Sequence, residues 1–194
     1  MYKGKKVVVV GIPGVGKTTV LSCILEYLNK RKTKAEVAVF GNVMLDQAKK
    51  NGIKDRDSLR KLPVNMQRQL QINAAKSISM ITDGIKFVDT HLFINTAEGY
   101  WPGLPINVLE VLSPTNLVLI EADPSEILSR RRRDTSRIRD KATKKSILHE
   151  MEIARHILST SAVITGAPML IIGNSEGQSS KAARRIVQAI SGKK

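Results

Sequence analysis

Short apolar runs alternate along the chain with stretches in which apolar residues recur every three or four positions. The runs Lys5–Val10, Ala35–Phe40, Ile85–Asp89, Asn116–Glu121 and Met169–Ile172 read as strands. They are rich in valine, isoleucine and leucine and barely alternate, the pattern of strands covered on both faces of a parallel sheet. Between them the helical period takes over. One helix runs from Lys17 to about Lys32 with Val20, Ile24, Leu25 and Leu28 on one face. Asn42 reads as the cap of a second, which ends near Asn51-Gly52. Asp55–Leu62 reads as a short helix stopped by Pro63, and a longer one carries Leu70, Ala74, Ile78 and Ile81 before Asp83-Gly84. Gly99–Pro105 reads as a loop. A helix from about Pro124 enters an arginine-rich stretch, and a long helix aligns Ile147, Met151, Ala154, Leu158 and Ala162. A terminal helix follows Gly173–Gly177. With no repeat or linker, this alternation predicts one α/β domain over residues 1–194: three layers, a five-stranded parallel sheet flanked by helices.

The first strand leads straight into Gly11-Ile12-Pro13-Gly14-Val15-Gly16-Lys17-Thr18-Thr19. This is the G-x-x-x-x-G-K-[ST] phosphate loop in its strand–loop–helix setting, so the fold is expected to be that of the P-loop NTPases. Glycines let successive N–H groups turn inward around phosphate oxygens at a helix N-terminus, where the dipole also favours an anion. Lys17 is expected to reach the β- and γ-phosphates and the Thr18 hydroxyl to ligate Mg²⁺. The chain is expected to bind a nucleoside triphosphate.

A net charge of +15 suggests an acidic partner, either nucleic acid or phosphates in transfer. Aromatic residues make up only 4% of the chain, which weakens base stacking. The charge therefore reads as phosphate handling plus solvated lysine, with incidental RNA binding as the alternative. No run of about 18 apolar residues offers a membrane span. The apolar stretch after Lys3, Lys5 and Lys6 is a first strand rather than a signal peptide. Cys23 is the single cysteine, so no internal disulfide forms and a reducing cytoplasm fits.

Neither D-x-x-G nor N-K-x-D is present, since Asn29-Lys30 is followed by Arg31-Lys32; a GTPase is excluded. The third strand ends Val88-Asp89-Thr90-His91, so no glutamate follows Asp89 to activate water as in a motor ATPase. Asp89 instead suits the Mg²⁺ shell, through water, of an enzyme whose acceptor is another molecule. The stretch 129–140 holds Arg130, Arg131, Arg132, Arg133, Arg137 and Arg139. So many cations repel one another unless anions neutralise them, and phosphoryl transfer gathers such anions. Arg130 and Arg133 share a helix face and are expected to point into the cleft, with Arg131 and Arg132 pointing elsewhere. Arg137 and Arg139 would sit on a flap that closes over the phosphates. A solvated basic face or an RNA-binding patch is the alternative for the cluster as a whole.

Read together, Gly11–Thr18, Gly41-Asn42-Val43-Met44-Leu45, Asp55-Arg56-Asp57, Arg60-Lys61-Leu62 and Val88-Asp89-Thr90-His91 form an ordered set of motifs. Gly99-Tyr100, Pro102-Gly103-Leu104-Pro105, Glu121-Ala122-Asp123-Pro124 and Arg133-Asp134-Thr135-Ser136-Arg137 continue it. Nearly end to end, the chain resembles the archaeal-type adenylate kinase family. The resemblance implies the reaction ATP + AMP = 2 ADP with Mg²⁺, a cytoplasmic location and a homotrimer. It implies that Gly11, Ile12, Pro13, Gly14, Val15, Gly16, Lys17, Thr18 and Thr19 cradle ATP and that Asn174 lies against its base. It implies an AMP site of Gly41, Met44, Arg56 and Arg60 within a monophosphate-binding insertion at 41–83. Arg130, Arg133 and Arg137 would clamp the transferring group, beside a short lid at 133–142. The Asp-Gly-Phe-Pro-Arg of bacterial and eukaryotic adenylate kinases is absent after the third strand, so the arginine that grips the AMP phosphate is expected elsewhere, at Arg60. Rival readings are a kinase for CMP, UMP or a non-nucleotide acceptor, and a nucleotide-dependent RNA-binding protein. His91, Tyr100 and Trp101 are candidates for substrate contact or for packing. Ile153, Ile157 and Ile164 form a second apolar strip on the long helix, read as a subunit interface or as deeper burial.

Overall fold

Val7, Val8, Val9 and Val10 have no exposed surface, because their strand, β1 (Lys5–Val10), runs through the middle of a sheet. The computed structural model describes residues 4–49, 52–53, 55, 58–59, 62–80, 83–96, 98–133 and 142–192. After β1 come α1 (Lys17–Lys30), β2 (Ala35–Val39), α2 (Phe40–Lys49), α3 (Val64–Ser79) and β3 (Ile85–Asp89). Then follow β4 (Phe93–Thr96), β5 (Gly99–Pro102), α4 (Ile106–Leu112), β6 (Asn116–Glu121) and α5 (Pro124–Arg133). The chain continues with α6 (Lys144–Thr165), β7 (Met169–Gly173) and α7 (Ser179–Ser191).

The main sheet has the order β2-β3-β1-β6-β7, and every neighbouring pair is parallel. Parallel neighbours need crossovers, and these are right-handed. The chain leaves β1 towards β2, then returns through β3 to β6 and β7. That reversal puts α1 on one face, where it packs on α7, and the α3–α4 and α5–α6 pairs on the other. The crevice at the strands' C-terminal ends, where the order reverses, is where such sheets bind ligands. Among the described residues no helix is long and apolar enough to cross a membrane.

The five expected strands are present with shifts of a residue at most, but four local expectations change. Phe40, expected to end the second strand, starts α2, and Asn42 lies inside that helix instead of capping it. The reason is packing: Phe40, Met44 and Ala48 form a buried i, i+4, i+8 stripe that outweighs the cap preference of asparagine. The expected loop at 99–105 contributes one strand of a hairpin, with β4 and β5 antiparallel. The seven-residue helix α4 is not among the elements that the sequence pattern predicts. On α6, Ser161 takes the last buried place expected for Ala162, its hydroxyl satisfied by the Ile157 carbonyl at 2.8 Å. Ile81 lies outside the described residues, as does much of 54–61.

Candidate active site

Planar peptides hold C=O and N–H in opposite directions, so a loop that turns its N–H groups inward turns carbonyls outward. From residue 11 to 16 each carbonyl has a donor. Lys17 Nζ donates to Gly11 O at 3.1 Å, and the Val15 N–H to Ile12 O at 3.4 Å. Arg131 Nε donates to Pro13 O at 2.8 Å. Arg130 Nη1 lies 3.4 Å from both Gly14 O and Val15 O, and Asn174 Nδ2 donates to Val15 O at 2.8 Å. The Val20 N–H takes Gly16 O at 3.1 Å as α1 begins. All three of its glycines are required: a Cβ on Gly11 would lie 2.6 Å from the Ile120 carbonyl oxygen, and Gly14 at φ +93° and Gly16 at φ +85° would drive one to 3.2 Å from Ile127 and Arg131 and to 2.5 Å from Asn174 Nδ2.

The loop opens on a cleft of about 620 Å³. Ile12 to Thr19 line one wall; Phe40, Gly41 and Met44 of α2 and Gln71 of α3 line the other. Asp89, Thr90 and His91, at the end of β3, form the floor with Ile94 of the hairpin. Lys17, only 9% exposed, holds its ammonium 3.9 Å from Asp89 Oδ1. The hydroxyl of Thr18 and the carboxylate of Asp89 give the cleft hard oxygen donors of the kind Mg²⁺ takes. Among the described residues no group of three or more His, Cys, Asp or Glu could hold a metal alone. An ion there would complete its shell with water and phosphate oxygens.

The arginines divide. Arg130 lines the cleft but is already occupied, with Nη2 on Glu126 Oε2 at 3.1 Å and on Asn174 O at 3.2 Å. Arg133 is 64% exposed, with Nη2 on Ser129 Oγ at 3.2 Å, and is not among the cleft's lining residues. Both approach Glu176, at 3.9 and 3.8 Å, so the expected shared face is there. Arg131, expected to point away, packs under the loop with an 8% exposed side chain. The correction follows from its position four residues after the fully buried Ile127, on the stripe that faces inward. Arg132 is exposed. Asn174, expected against the base of ATP, turns its amide under the loop and accepts from Ser179 Oγ at 3.0 Å. Arg56, Arg60, Arg137, Arg139 and most of the expected lid, 134–141, lie outside the described residues.

Gln71 and Glu150, like Arg131, lie outside the set of residues expected at the site. Gln71 is 7% exposed in the apolar stripe with Leu70, Ala74 and Ile78; Glu150 lies between Ile147 and Ala154 on α6. A polar residue interrupting a buried stripe was the available signal. Tyr100 packs edge-on against Phe93 at 4.9 Å between ring centroids and 6.1 Å from His149, which favours the packing role over base stacking. Ile157 is half-buried against the core, whereas Ile164 is 44% exposed.

A family model described as an AAA domain matches residues 10–148. Adenylate kinase from Sulfurisphaera tokodaii is 44% identical over 189 residues, covering 94% of this chain and 97% of its own. The adenylate kinase of Methanocaldococcus jannaschii is 41% identical over 190 residues, covering 97% and 99%. A structure of shikimate kinase from Acinetobacter baumannii in complex with shikimate shares the fold, with a TM-score of 0.63, 16% identity and coverage of 97% and 93%.

Proposed function

The chain belongs to the family of archaeal adenylate kinases, and on that premise we propose that it works as one, transferring the γ-phosphoryl group of Mg·ATP reversibly to AMP. The observation that carries this reading is a cleft with a phosphate loop on one wall and α2 with Gln71 on the other. ATP lies along the first wall, its phosphates on the loop's N–H groups and Lys17. AMP lies against Gly41, Met44 and Gln71, with Arg56 and Arg60 as its proposed phosphate contacts. An AMP phosphate oxygen is already anionic at neutral pH, so it needs no general base. Catalysis consists of alignment and charge stabilisation. Lys17 would leave the Gly11 carbonyl for the transferring phosphate, with Arg133 and Arg137 completing the clamp. Mg²⁺, held by the Thr18 hydroxyl and through water by Asp89, would supply charge neutralisation at the β- and γ-phosphates.

A homotrimer is the proposed assembly. It is supported by apolar surface beside the sheet edge: Met169 and Ile171 of the edge strand β7 are 46% and 41% exposed, and Val163 at the end of α6 is 85% exposed. A solution mass of one chain would contradict it. The free thiol of Cys23 suits the proposed cytoplasmic location.

The test is ADP formation from Mg·ATP with AMP, CMP, UMP, GMP or no acceptor. Fast turnover with AMP alone is expected. Fast turnover with a different monophosphate would discard the acceptor base. Slow, acceptor-independent hydrolysis with salt-dependent RNA binding would favour an RNA-binding role for the basic surface.

A further inference from the structure

Whatever grips the Pro13 carbonyl also aims the Gly14 N–H, because the two belong to one rigid peptide and point in opposite directions. The grip is Arg131, whose Nε donates to Pro13 O at 2.8 Å. The other edge of the same guanidinium is taken up by Glu150, with Nη1 on Oε1 at 3.2 Å and Nη2 on Oε2 at 2.6 Å. A planar fork with both edges engaged has no freedom to rotate. Its anchor is firm, since Ile147 and Met151 beside Glu150 are buried and hold that stretch of α6 on the core. Its stem is equally fixed: a Cβ on Gly14 would lie 3.2 Å from Arg131 Cγ. Both charged side chains are largely withdrawn from water, at 8% and 16% exposed, so solvent cannot readily replace either partner.

We propose that Arg131 and Glu150 are a positioning pair for the ATP subsite. Glu150 orients Arg131, and Arg131 aims the Gly14 N–H at an ATP phosphate oxygen. Neither residue touches the nucleotide. The pair also links the phosphate loop to α6, the helix that follows the 133–142 stretch. If the pair only fastened α5 to α6, its loss would lower the melting temperature and leave ATP binding alone. Lysine at 131 supplies a point donor that cannot serve loop and carboxylate together.

The experiment compares the full-length protein with Arg131→Lys, Glu150→Gln and Arg155→Gln. Arg155 is the control, because it makes a similar two-bond pair from the same helix to Glu121, at 2.7 and 2.8 Å, and itself donates to no carbonyl of the loop. Calorimetric titration with a non-transferable Mg·ATP analogue reads binding without turnover, and steady-state kinetics read KM for ATP and AMP separately. Arg131→Lys and Glu150→Gln are expected to weaken analogue binding and raise KM for ATP about tenfold, with KM for AMP changed less than about twofold. Arg155→Gln is expected to lower only the melting temperature. Glu150→Gln keeps the side chain's shape, so it carries the test where Arg131→Lys does not fold. Analogue affinity within about twofold of wild type in both variants, or a loss that Arg155→Gln reproduces, overturns the proposal. The inference rests on the kinase reading only for its kinetic arm: a wild type that binds the analogue but makes no ADP from AMP would refute that reading and leave this one standing.

Discussion

Gln71 carries an amide on a helix stripe that is otherwise apolar, and among the described residues its one close partner is the Pro102 carbonyl at 3.5 Å. A bond of that length leaves the amide with hydrogen-bonding capacity to spend on something else in the cleft. We therefore expect Gln71→Leu, which keeps the volume, to raise KM for AMP about fivefold, the equivalent of one neutral hydrogen bond, while KM for ATP stays put. Equal changes in both constants, or none, would remove Gln71 from the acceptor site. Legibility at this scale followed locality. Lys17, Thr18 and the loop glycines were readable because their chemistry lies within nine consecutive residues. Arg131, Glu150 and Gln71 were not, because their partners lie far along the chain: Pro13 is 118 residues from Arg131. The arginine run is likewise less naked than its sequence. Arg130 meets Glu126, Arg131 meets Glu150, and Arg133 faces Glu176.

Helix α5 presents two of these arginines to the phosphate loop, and its start is set by Asp123-Pro124. The Asp123 carboxylate accepts the Ser125 N–H at 2.7 Å, and proline follows where a helix needs no N–H. That backbone bond, ahead of any other influence, holds the Asp123 carboxyl below its ordinary value of 3.8. A depressed carboxyl stabilises the fold above its unfolded value and loses that contribution as pH falls through the lower folded one. Asp123→Ala is accordingly expected to lower the melting temperature at neutral pH, and the gap from wild type should close in strong acid. A gap independent of pH would mean that packing, not the charged cap, was lost. Elements defined by pattern were legible: all five strands of the main sheet had their expected bounds to within a residue, and the long helix α6 kept most of its stripe. Elements defined by tertiary contact were not. The hairpin of β4 and β5 has four-residue strands without clean alternation, and α4, at seven residues, is too short for its period to assign it.

For the molecule as a whole, the strand order β2-β3-β1-β6-β7 brings together residues from the ends of β1 and β3 and the starts of α1 and α2. The class of fold was legible because alternation of strands and helices constrains topology strongly. The second wall of the cleft was only half legible: Gly41 and Met44 were expected there, Gln71 was not, and Arg56 and Arg60 remain a proposal. The central claim is that both nucleotides share this one cleft with their phosphates facing. Its most direct test is calorimetric titration with two adenosines joined end to end by a five-phosphate chain, run alone and in competition with ATP and with AMP. The account predicts one molecule bound per chain, far tighter than ATP, and displaced by either nucleotide. Binding no tighter than that of ATP, with AMP unable to compete, would contradict it.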